Sequence, residues 1–319
     1  MNKMAIITNL KKENFNQILN NYNIGKYKSH KHIQRALGNT VYILKTTKNK
    51  FILKIFEKSD PNFIEFQIKV MKLFEKEKLP TPKIISTKNN KPLLIYNKNR
   101  IMIQEFIEGI SPETFSNTLI KDIAQKQGKM NSSLLKLKLT GKYIWGTDYQ
   151  FSPIEFGAYS FGNFNIEKEN KLLVQELNEI NKKKLKKSII HGDFHSANFL
   201  VKKDKLVAIL DLDDVHEDFL IQEVANLISH TFINLDSIKE EQLKIYIKEY
   251  EKQVKLNEEE KKAIYFFIKH RFLSVIGWHL QQLKKHMDQK EDIEKTVIEH
   301  IKLYKSFSKI SLNEFMKMF

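Results

Sequence analysis

Cysteine is absent from the 319-residue chain, and glycine and proline are scarce, with ten and six residues. The absence of cysteine excludes disulfides, and it also excludes thiolate metal sites and iron–sulfur clusters. The few glycines and prolines do not gather into a linker, and no internal repeat stands out. We therefore expect closely joined lobes rather than modules strung on flexible segments.

Long apolar runs are also missing. No uncharged stretch approaches the ~18 residues needed to span a membrane, and residues 1–14 lack the apolar core of a signal peptide. We expect a cytoplasmic protein with no membrane partner. The length is enough for two lobes of roughly 100 to 200 residues each, with cores of their own.

The chain is strongly basic, with a formal net charge of +16. Basic proteins often bind nucleic acid, but here the lysines are spread from end to end. One compact run, KKKLKK at residues 182–187, precedes a short apolar segment. We interpret it as a solvated helix end, with RNA or membrane contact as the alternative, and we expect no nucleic-acid partner.

The most informative segment is HGDFHSANFL at residues 191–200, followed by the apolar run VAIL and then DLDD at 211–214. Residues 188–190, 199–201 and 205–210 are typical of short strands. Asp193 then lies in a loop after the first strand, Asn198 lies where the loop rejoins the sheet, and Asp211 ends the last strand. We expect all three side chains to face one cleft.

These residue types suit phosphoryl transfer, in which the protein positions groups and stabilises charge. An aspartate accepts the proton of the substrate hydroxyl, and amide and carboxylate oxygens hold Mg²⁺. We assign Asp193 as the catalytic base, and Asn198 and Asp211 as the magnesium ligands. Asp213 has the spacing to share a face with Asp211, which suits a role in binding a second metal ion or a water molecule; solvent-facing decoration is an equally good interpretation. His191 and His195 form a poor metal pair, because no third soft ligand is near.

The pattern H-G-D, four residues, N, then an apolar strand ending in Asp resembles the aminoglycoside phosphotransferase and choline kinase superfamily. The protein-kinase motifs H-R-D, D-F-G and A-P-E are not present. Residues 20–57, KLPTP at 78–82, QEFIEG at 104–109 and residues 250–283 are similar to the homoserine kinase branch. The resemblance covers most of the chain. Glu223 departs from it, standing where relatives carry an aspartate, and Asn131 replaces a frequent histidine.

The resemblance implies an α+β, protein-kinase-like fold of two lobes. Residues 1–107 would form an ATP-binding lobe with an antiparallel sheet of five strands and one main helix. Residues 108–319 would form a mostly helical lobe with the catalytic loop and the substrate site. In the first lobe we expect strands at 32–37, 41–46, 51–56, 83–86 and 101–106, and helices at 11–23 and 63–78. In the second we expect helices at 119–137, after a cap at 111–113, and at 168–186, 218–233, 239–254, 258–287 and 292–308.

The same resemblance implies the nucleotide-binding residues. Lys54 matches the strand lysine that contacts phosphates, and we choose Glu65 as its carboxylate partner, although Ile68 stands at the closest aligned position. The phosphate loop would be residues 34–40, with Gly38 and Asn39; an ordinary hairpin is the alternative. Backbone groups from Glu105 to Ile107 would contact adenine.

We therefore expect an ATP- and Mg²⁺-dependent kinase that phosphorylates a hydroxyl of a small metabolite, with homoserine or a similar amino alcohol as the best guess. Aminoglycoside, choline and sugar kinases remain alternatives, as does a catalytically silent kinase-like binding protein. We expect a monomer or homodimer. The candidate substrate residues are Asp213, Arg271, Trp145, Tyr149, His270 and Trp278.

Overall fold

The computed structural model describes residues 8–33, 38–57, 59–137, 160–283 and 290–319 of the chain. The fold divides into two compact units. The first consists of Met1–Ile110 with Val207–Leu210, and the second of Ser111–Leu206 with Asp211–Phe319. The assignment of residues 1–107 to ATP binding, and of residues 108–319 to the catalytic loop and substrate site, remains a prediction. Within the described ranges no helix is both long and apolar enough to cross a membrane.

The first unit contains a mixed-length antiparallel sheet and two helices. Its elements are α1 (Lys12–Leu19), β1 (Tyr27–His32), β2 (Thr40–Thr46), β3 (Lys50–Phe56), α2 (Pro61–Lys76), β4 (Ile84–Ile85), β5 (Leu94–Tyr96) and β6 (Asn99–Glu105). The sheet order is β1-β2-β3-β6-β4, with β5 also paired to β6. The antiparallel sheet with one long helix confirms the predicted fold class for this part of the chain.

Two strands of this sheet escape the sequence prediction. The first strand lies at Tyr27–His32, not at 32–37, of which 34–37 lie outside the described residues. It has an intermediate or exposed side chain at every position, so no apolar alternation marks it. The short strand β5 was not predicted either, and the sheet has six strands rather than five.

The helices of the first unit follow their sequence signals closely. Phe15, Ile18 and Leu19 of α1 are buried in one core with Tyr42 and Leu53 of the sheet, as their spacing predicts. α2 begins at Pro61, after Asp60, whose carboxylate accepts the N–H of Asn62 at 2.8 Å. This cap with proline in the first turn explains why the helix starts two residues before the predicted position.

The second unit is mostly helical, as predicted. Its elements are α3 (Asn117–Leu135), β7 (Ser160–Phe161), β8 (Phe164–Asn165), α4 (Ile166–Asn178), β9 (Lys187–Ile190), β10 (Phe199–Lys202), β12 (His216–Phe219), α5 (Ile221–Thr231), α6 (Glu240–Tyr250), α7 (Glu258–Leu283), α8 (Lys290–Phe307) and α9 (Leu312–Met316). The strand β11 (Lys205–Ile209) begins in this unit, and its residues from Val207 on are counted with the first. The prediction missed β7, β8, β12 and α9, which are only two to five residues long.

Two helix boundaries differ from the prediction for a local reason. The expected cap at 111–113 does not start a helix; Ser116 does, with its hydroxyl accepting the N–H of Leu119 at 3.1 Å. The helix expected at 168–186 ends at Asn178, and the basic run continues as a separate 3₁₀ turn at Lys182–Lys184. The run is therefore not one solvated helix end.

Part of the basic run has structural contacts. The Lys186 ammonium lies 2.5 Å from a carboxylate oxygen of Glu260, which is fully buried at the start of α7. Lys187 in β9 lies over the ring of Phe219 at 4.9 Å. Lys186 and Lys187 of the basic run thus contact other parts of the fold. Lys183 and Lys184 face solvent.

Candidate active site

The candidate catalytic loop joins β9 to β10. β9 pairs with β12, and β10 pairs with β11, so residues 191–198 connect two small sheets. The ring nitrogen Nδ1 of the fully buried His191 lies 3.4 Å from the backbone N–H of Asp193 and accepts it. The ring thus braces the loop.

Gly192 is required by the path of this loop. Its φ of +85° lies in the left-handed region, which side chains with a Cβ adopt at a cost. A Cβ here would also lie 2.1 Å from the carbonyl oxygen of Asp214. The glycine of the motif therefore lets the loop pass against the turn that follows β11.

Helix α5 holds the peptide groups of Gly192. The carboxylate oxygen Oε1 of Glu223 accepts the Gly192 N–H at 2.8 Å, and Nδ2 of Asn226 donates to the Gly192 carbonyl at 3.1 Å. Both α5 side chains are fully buried. Burial raises the pKa of Glu223 to about 7, although the Gly192 N–H and the neighbouring His216 oppose the shift. Glu223 thus takes the supporting position that the sequence flagged as a departure.

Asp193 is surrounded by hydrogen-bond donors. Its Oδ1 accepts from Nη2 of Arg271 at 2.8 Å, and its Oδ2 accepts from Nδ2 of Asn198 at 2.9 Å. Nε2 of His195 lies 3.1 Å from Oδ2. The same Asn198 amide also donates to the Asp193 carbonyl at 2.9 Å. The structure therefore brings Asp193, Asn198 and Arg271 together.

These contacts hold Asp193 in its charged form. Burial works to raise its pKa, but the hydrogen bond from His195 and the charge of Arg271 outweigh burial and hold the pKa well below its usual range. A carboxylate in this state accepts hydrogen bonds through both oxygens. Asp193 is thus placed to orient a hydroxyl group by accepting its proton in a hydrogen bond.

The turn after β11 carries the acidic residues. Asp211 has a φ of +60°, a left-handed conformation in which Asp and Asn are enriched, and its Oδ1 accepts the N–H of Asp213 at 3.2 Å. Desolvation and the carboxylates of Asp193, Asp211 and Asp213 raise the pKa of Asp214 to about 6. The carboxylates of the turn and of the catalytic loop therefore lie close enough together to repel one another.

This donor set fits Mg²⁺. Magnesium prefers carboxylate and amide oxygens and is usually held by one or two carboxylates together with substrate phosphates. Because the Asn198 amide donates through Nδ2, its Oδ1 remains the acceptor atom for a cation. No group of three or more His, Asp or Glu side chains among the described residues forms a metal site by itself. Asn198 and Asp211 would therefore supply only part of the ligand shell.

Histidines surround the Arg271 side of the loop. The His195 and His230 rings stack with centroids 4.6 Å apart, and Nε of Arg271 donates to Nε2 of His230 at 3.4 Å. His230 also lines a cavity of about 470 Å³, together with Asn234, Phe272 and His300. A cavity of this size has room for a small metabolite.

Lys54 and Glu65, two of the predicted nucleotide-binding residues, do not contact each other. The Lys54 ammonium lies over the Phe56 ring at 5.1 Å, and Glu65 on α2 is exposed. The structure shows no ion pair between these two side chains, both of which it describes. The choice of Glu65 as the partner of Lys54 is therefore not supported, and the reason is its position on the solvent side of α2.

The remaining predictions for the first unit concern the phosphate loop and the backbone of residues 105–107. Gly38 has no positive φ, and a Cβ there would meet nothing within 4 Å, while Oδ1 of Asn39 accepts the Glu57 N–H at 3.2 Å. The Glu105 N–H donates to the Lys83 carbonyl at 2.9 Å, so it is already used. Ile107 follows the end of β6. The rest of the phosphate loop, residues 34–37, lies outside the described residues.

The substrate candidates separate into three groups. Trp145 and Tyr149 lie outside the described residues. His270 is fully buried, with a pKa lowered by burial to about 3, and Trp278 is 45% exposed. Of the described candidates, Arg271 contacts Asp193 directly, and the charge of Asp213 acts on the neighbouring Asp214.

Sequence reasoning missed Asn226 and His230. Asn226 follows Glu223 by three residues, the spacing that places two side chains on one helix face, so two polar residues on the apolar face of α5 were a usable signal. His230 carried no signal, because a single histidine near a helix end has no distinguishing pattern.

The fold and the loop together define a small-molecule kinase. Residues 30–260, which make up more than half of the chain, match the model of the Phosphotransferase enzyme family. The chain belongs to this family and is a small-molecule phosphotransferase.

Curated relatives include a homoserine kinase of Zymomonas mobilis, 24% identical over 284 residues and covering 86% of this chain and 89% of that protein. A homoserine kinase of Rhodopseudomonas palustris is 25% identical over 251 residues, with 70% and 69% covered.

Among solved structures, a microcompartment-associated aminopropanol kinase has a TM-score of 0.72 at 14% identity, covering 95% of this chain and 98% of that one. An amicoumacin kinase, solved with AMP-PNP and Ca²⁺, has a TM-score of 0.71 at 14% identity, covering 95% of both chains. These similarities confirm the kinase-like fold.

Proposed function

We propose that the protein transfers the γ-phosphoryl group of ATP to the hydroxyl group of homoserine or a closely similar amino alcohol. Family membership supports the reaction class. The two homoserine kinases above, which align along most of their length at 24% and 25% identity, support the acceptor. The amicoumacin kinase solved with an ATP analogue supports ATP as the donor.

The observation that carries the proposal is the arrangement around Asp193. Asn198, His195 and Arg271 hold its carboxylate from two sides, with contacts of 2.8 to 3.1 Å. Such donors fix the carboxylate in one orientation and favour its charged form. A preorganised carboxylate at the end of a braced loop is what a positioned base requires.

In the proposed reaction the acceptor oxygen attacks the γ-phosphorus, and the bond from that phosphorus to the bridging oxygen of ADP breaks. ADP leaves with the electron pair, and the hydroxyl proton passes to Asp193. His191, Glu223 and Asn226 keep the loop in place throughout. Bound Mg²⁺ would neutralise the charge on the phosphates, and Asn198 and Asp211 are the residues that would hold it.

A coupled assay of ADP release tests this proposal. The acceptors are L-homoserine, choline, 3-amino-1-propanol, a hexosamine and an aminoglycoside, each with ATP and Mg²⁺ and each checked for a phosphorylated product. We expect homoserine to give the highest kcat/KM. A higher value for choline or the aminoglycoside would overturn the acceptor, and no phosphorylated product with any hydroxyl compound would overturn the reaction.

A further inference from the structure

Arg271 occupies an unusual position for a cation. It lies within α7 with its side chain only 18% exposed, and its Nη2 is 2.8 Å from Oδ1 of Asp193. The other oxygen of Asp193 faces Asn198 and His195. An acceptor hydroxyl that approaches Oδ1 therefore meets the guanidinium first.

The guanidinium has hydrogen-bonding capacity left. It carries five N–H groups in a planar fork, and two of its nitrogens are engaged, Nη2 with Asp193 and Nε with His230. Within the described part of the chain no partner is assigned to Nη1. A second anion could therefore bind at Nη1 and compete with Asp193 for the guanidinium, while Nε keeps its contact with His230.

Three histidines near Arg271 favour the neutral form. Burial lowers the pKa of His230 well below its ordinary value, and the charge of Arg271 adds to the effect. Burial also lowers the pKa of His279 and His300, with Arg271 contributing to both. Arg271 itself keeps its charge, because a guanidinium does not lose its proton in proteins.

A permanent guanidinium beside the base discriminates between acceptors. Choline, aminopropanol and aminoglycosides carry positive charge and no anionic group, so their approach to Arg271 is repulsive. An amino acid with a hydroxyl side chain also carries a carboxylate. Guanidinium binds carboxylate through paired, charge-assisted hydrogen bonds that lysine cannot reproduce.

We propose that Arg271 is a specificity-determining residue: it binds the carboxylate of an amino-acid acceptor, and that contact draws its guanidinium away from Oδ1 of Asp193. The substrate class is then a hydroxyl-bearing amino acid, and the acceptor itself uncovers the base. This inference rests on the proposed function, because it concerns the acceptor of the same reaction.

The first experiment uses the unaltered enzyme. L-Homoserine is compared with 3-amino-1-propanol, the same chain without the carboxylate, and with homoserine amide, in which the carboxylate is neutral. We expect kcat/KM to fall by about 10- to 100-fold for both analogues, the range of a charged hydrogen bond. Equal or better use of 3-amino-1-propanol would overturn the carboxylate assignment.

The second experiment alters Arg271. In Arg271→Gln the ratio of kcat/KM between homoserine and 3-amino-1-propanol should fall to within about 3-fold of unity, mainly because KM for homoserine rises. Arg271→Lys should give an intermediate ratio, since it keeps the charge and loses the fork. The control is Lys262→Gln, which removes an exposed charge from the same helix and should leave the parent ratio unchanged.

The outcomes separate the two proposals. If Arg271→Gln slows both acceptors equally, Arg271 has only a structural role and the inference is wrong. If the enzyme phosphorylates hydroxyl compounds without a carboxylate preference, the inference fails and the reaction class stands. If no acceptor is phosphorylated, the proposed function fails and the inference fails with it. Should Arg271→Gln not fold, the analogue comparison with the parent still decides.

Discussion

The catalytic loop and the described part of the predicted phosphate loop differ in the side chains that contact them. At residues 191–198, side chains from α5 and α7 hold the backbone and the carboxylate of Asp193. Around Gly38, the described residues leave open space, and the side chain of the neighbouring Asn39 accepts the Glu57 N–H at the end of β3. The catalytic loop is thus held by residues distant in sequence, whereas no described residue packs against Gly38.

This difference has a physical cause. A loop that turns between two short strands has peptide groups that must be satisfied internally when they are buried, and buried polar side chains of α5 supply the partners. Gly38 is exposed, so its peptide groups can bond to water instead. We therefore expect substitutions at Gly192 and Asp193 to have large effects, and those at Gly38 and Glu65 to have small ones.

Asp193→Ala should have the largest effect. We expect turnover to fall by roughly 10²-fold or more, the usual scale for a positioned base, with the dissociation constant for ATP within about 2-fold of the parent. Steady-state kinetics and nucleotide titration measure the two quantities. Asp292→Ala, at an exposed residue of α8, is the control. Unchanged turnover in Asp193→Ala would refute the role of this residue.

Gly192→Ala and Gly38→Ala form a matched pair across the two loops. The first introduces a Cβ at a positive φ and 2.1 Å from a backbone oxygen, so we expect a loss of about 2–4 kcal/mol in the free energy of unfolding. The second meets no described atom within 4 Å and should change stability by less than about 0.5 kcal/mol. Urea denaturation measures both. Equal losses would remove the distinction between the loops.

Glu223→Gln should make the stability of the protein depend less on pH. Burial raises the pKa of Glu223 to about 7 from an ordinary value of 4.5, so the folded state keeps a proton that the unfolded chain releases, and stability falls as pH rises through this window. Glutamine stays neutral and can still accept the Gly192 N–H.

We expect Glu223→Gln to match the parent near pH 4.5 and to exceed its stability by about 1–3 kcal/mol at pH 8. Denaturation curves at several pH values test this. Glu258→Gln, at a side chain that is 75% exposed, should follow the parent at every pH. A difference between Glu223→Gln and the parent that does not grow with pH would contradict the prediction.

Asp211→Asn should raise the Mg²⁺ concentration for half-maximal activity by about 10-fold, because it removes one anionic ligand from a hard cation. Asp204→Asn is the matched control, since Asp204 also has a positive φ and lies on an exposed turn nearby. Mg²⁺ titrations of both variants provide the measurement. The same magnesium dependence in Asp211→Asn and the parent would argue against a metal role for Asp211.

Glu65→Gln should have the smallest effect. Glu65 is exposed, and the structure shows no ion pair with Lys54, so KM for ATP should change by less than about 2-fold. Lys54→Gln should raise it by about 10-fold if Lys54 contacts phosphate as predicted, since one charged contact is lost. If Glu65→Gln raised KM for ATP as much as Lys54→Gln, that result would indicate that the two side chains act together.

Much of the fold and part of the site could be predicted from the chain alone. The long helices follow from apolar periodicity, the α+β class from the family resemblance, and the position of Asp193 in a loop from its motif. The strand at Tyr27–His32 could not be predicted, because its side chains are largely exposed. The choice of Glu65 rested on spacing, and spacing along α2 does not reveal which helix face meets the sheet.

The motif H-G-D with its asparagine and aspartate is local, so residue order alone indicated the reaction class and the loop that carries it. The partners of Asp193 are distant in sequence: Arg271 lies 78 residues away, and the Glu223 that holds Gly192 lies 31 residues away. Only the packing of α5 and α7 against the loop brings them together, since burial of their apolar faces decides which polar side chains point inward. The charge beside the base, and with it the proposed choice of acceptor, therefore depends on tertiary structure.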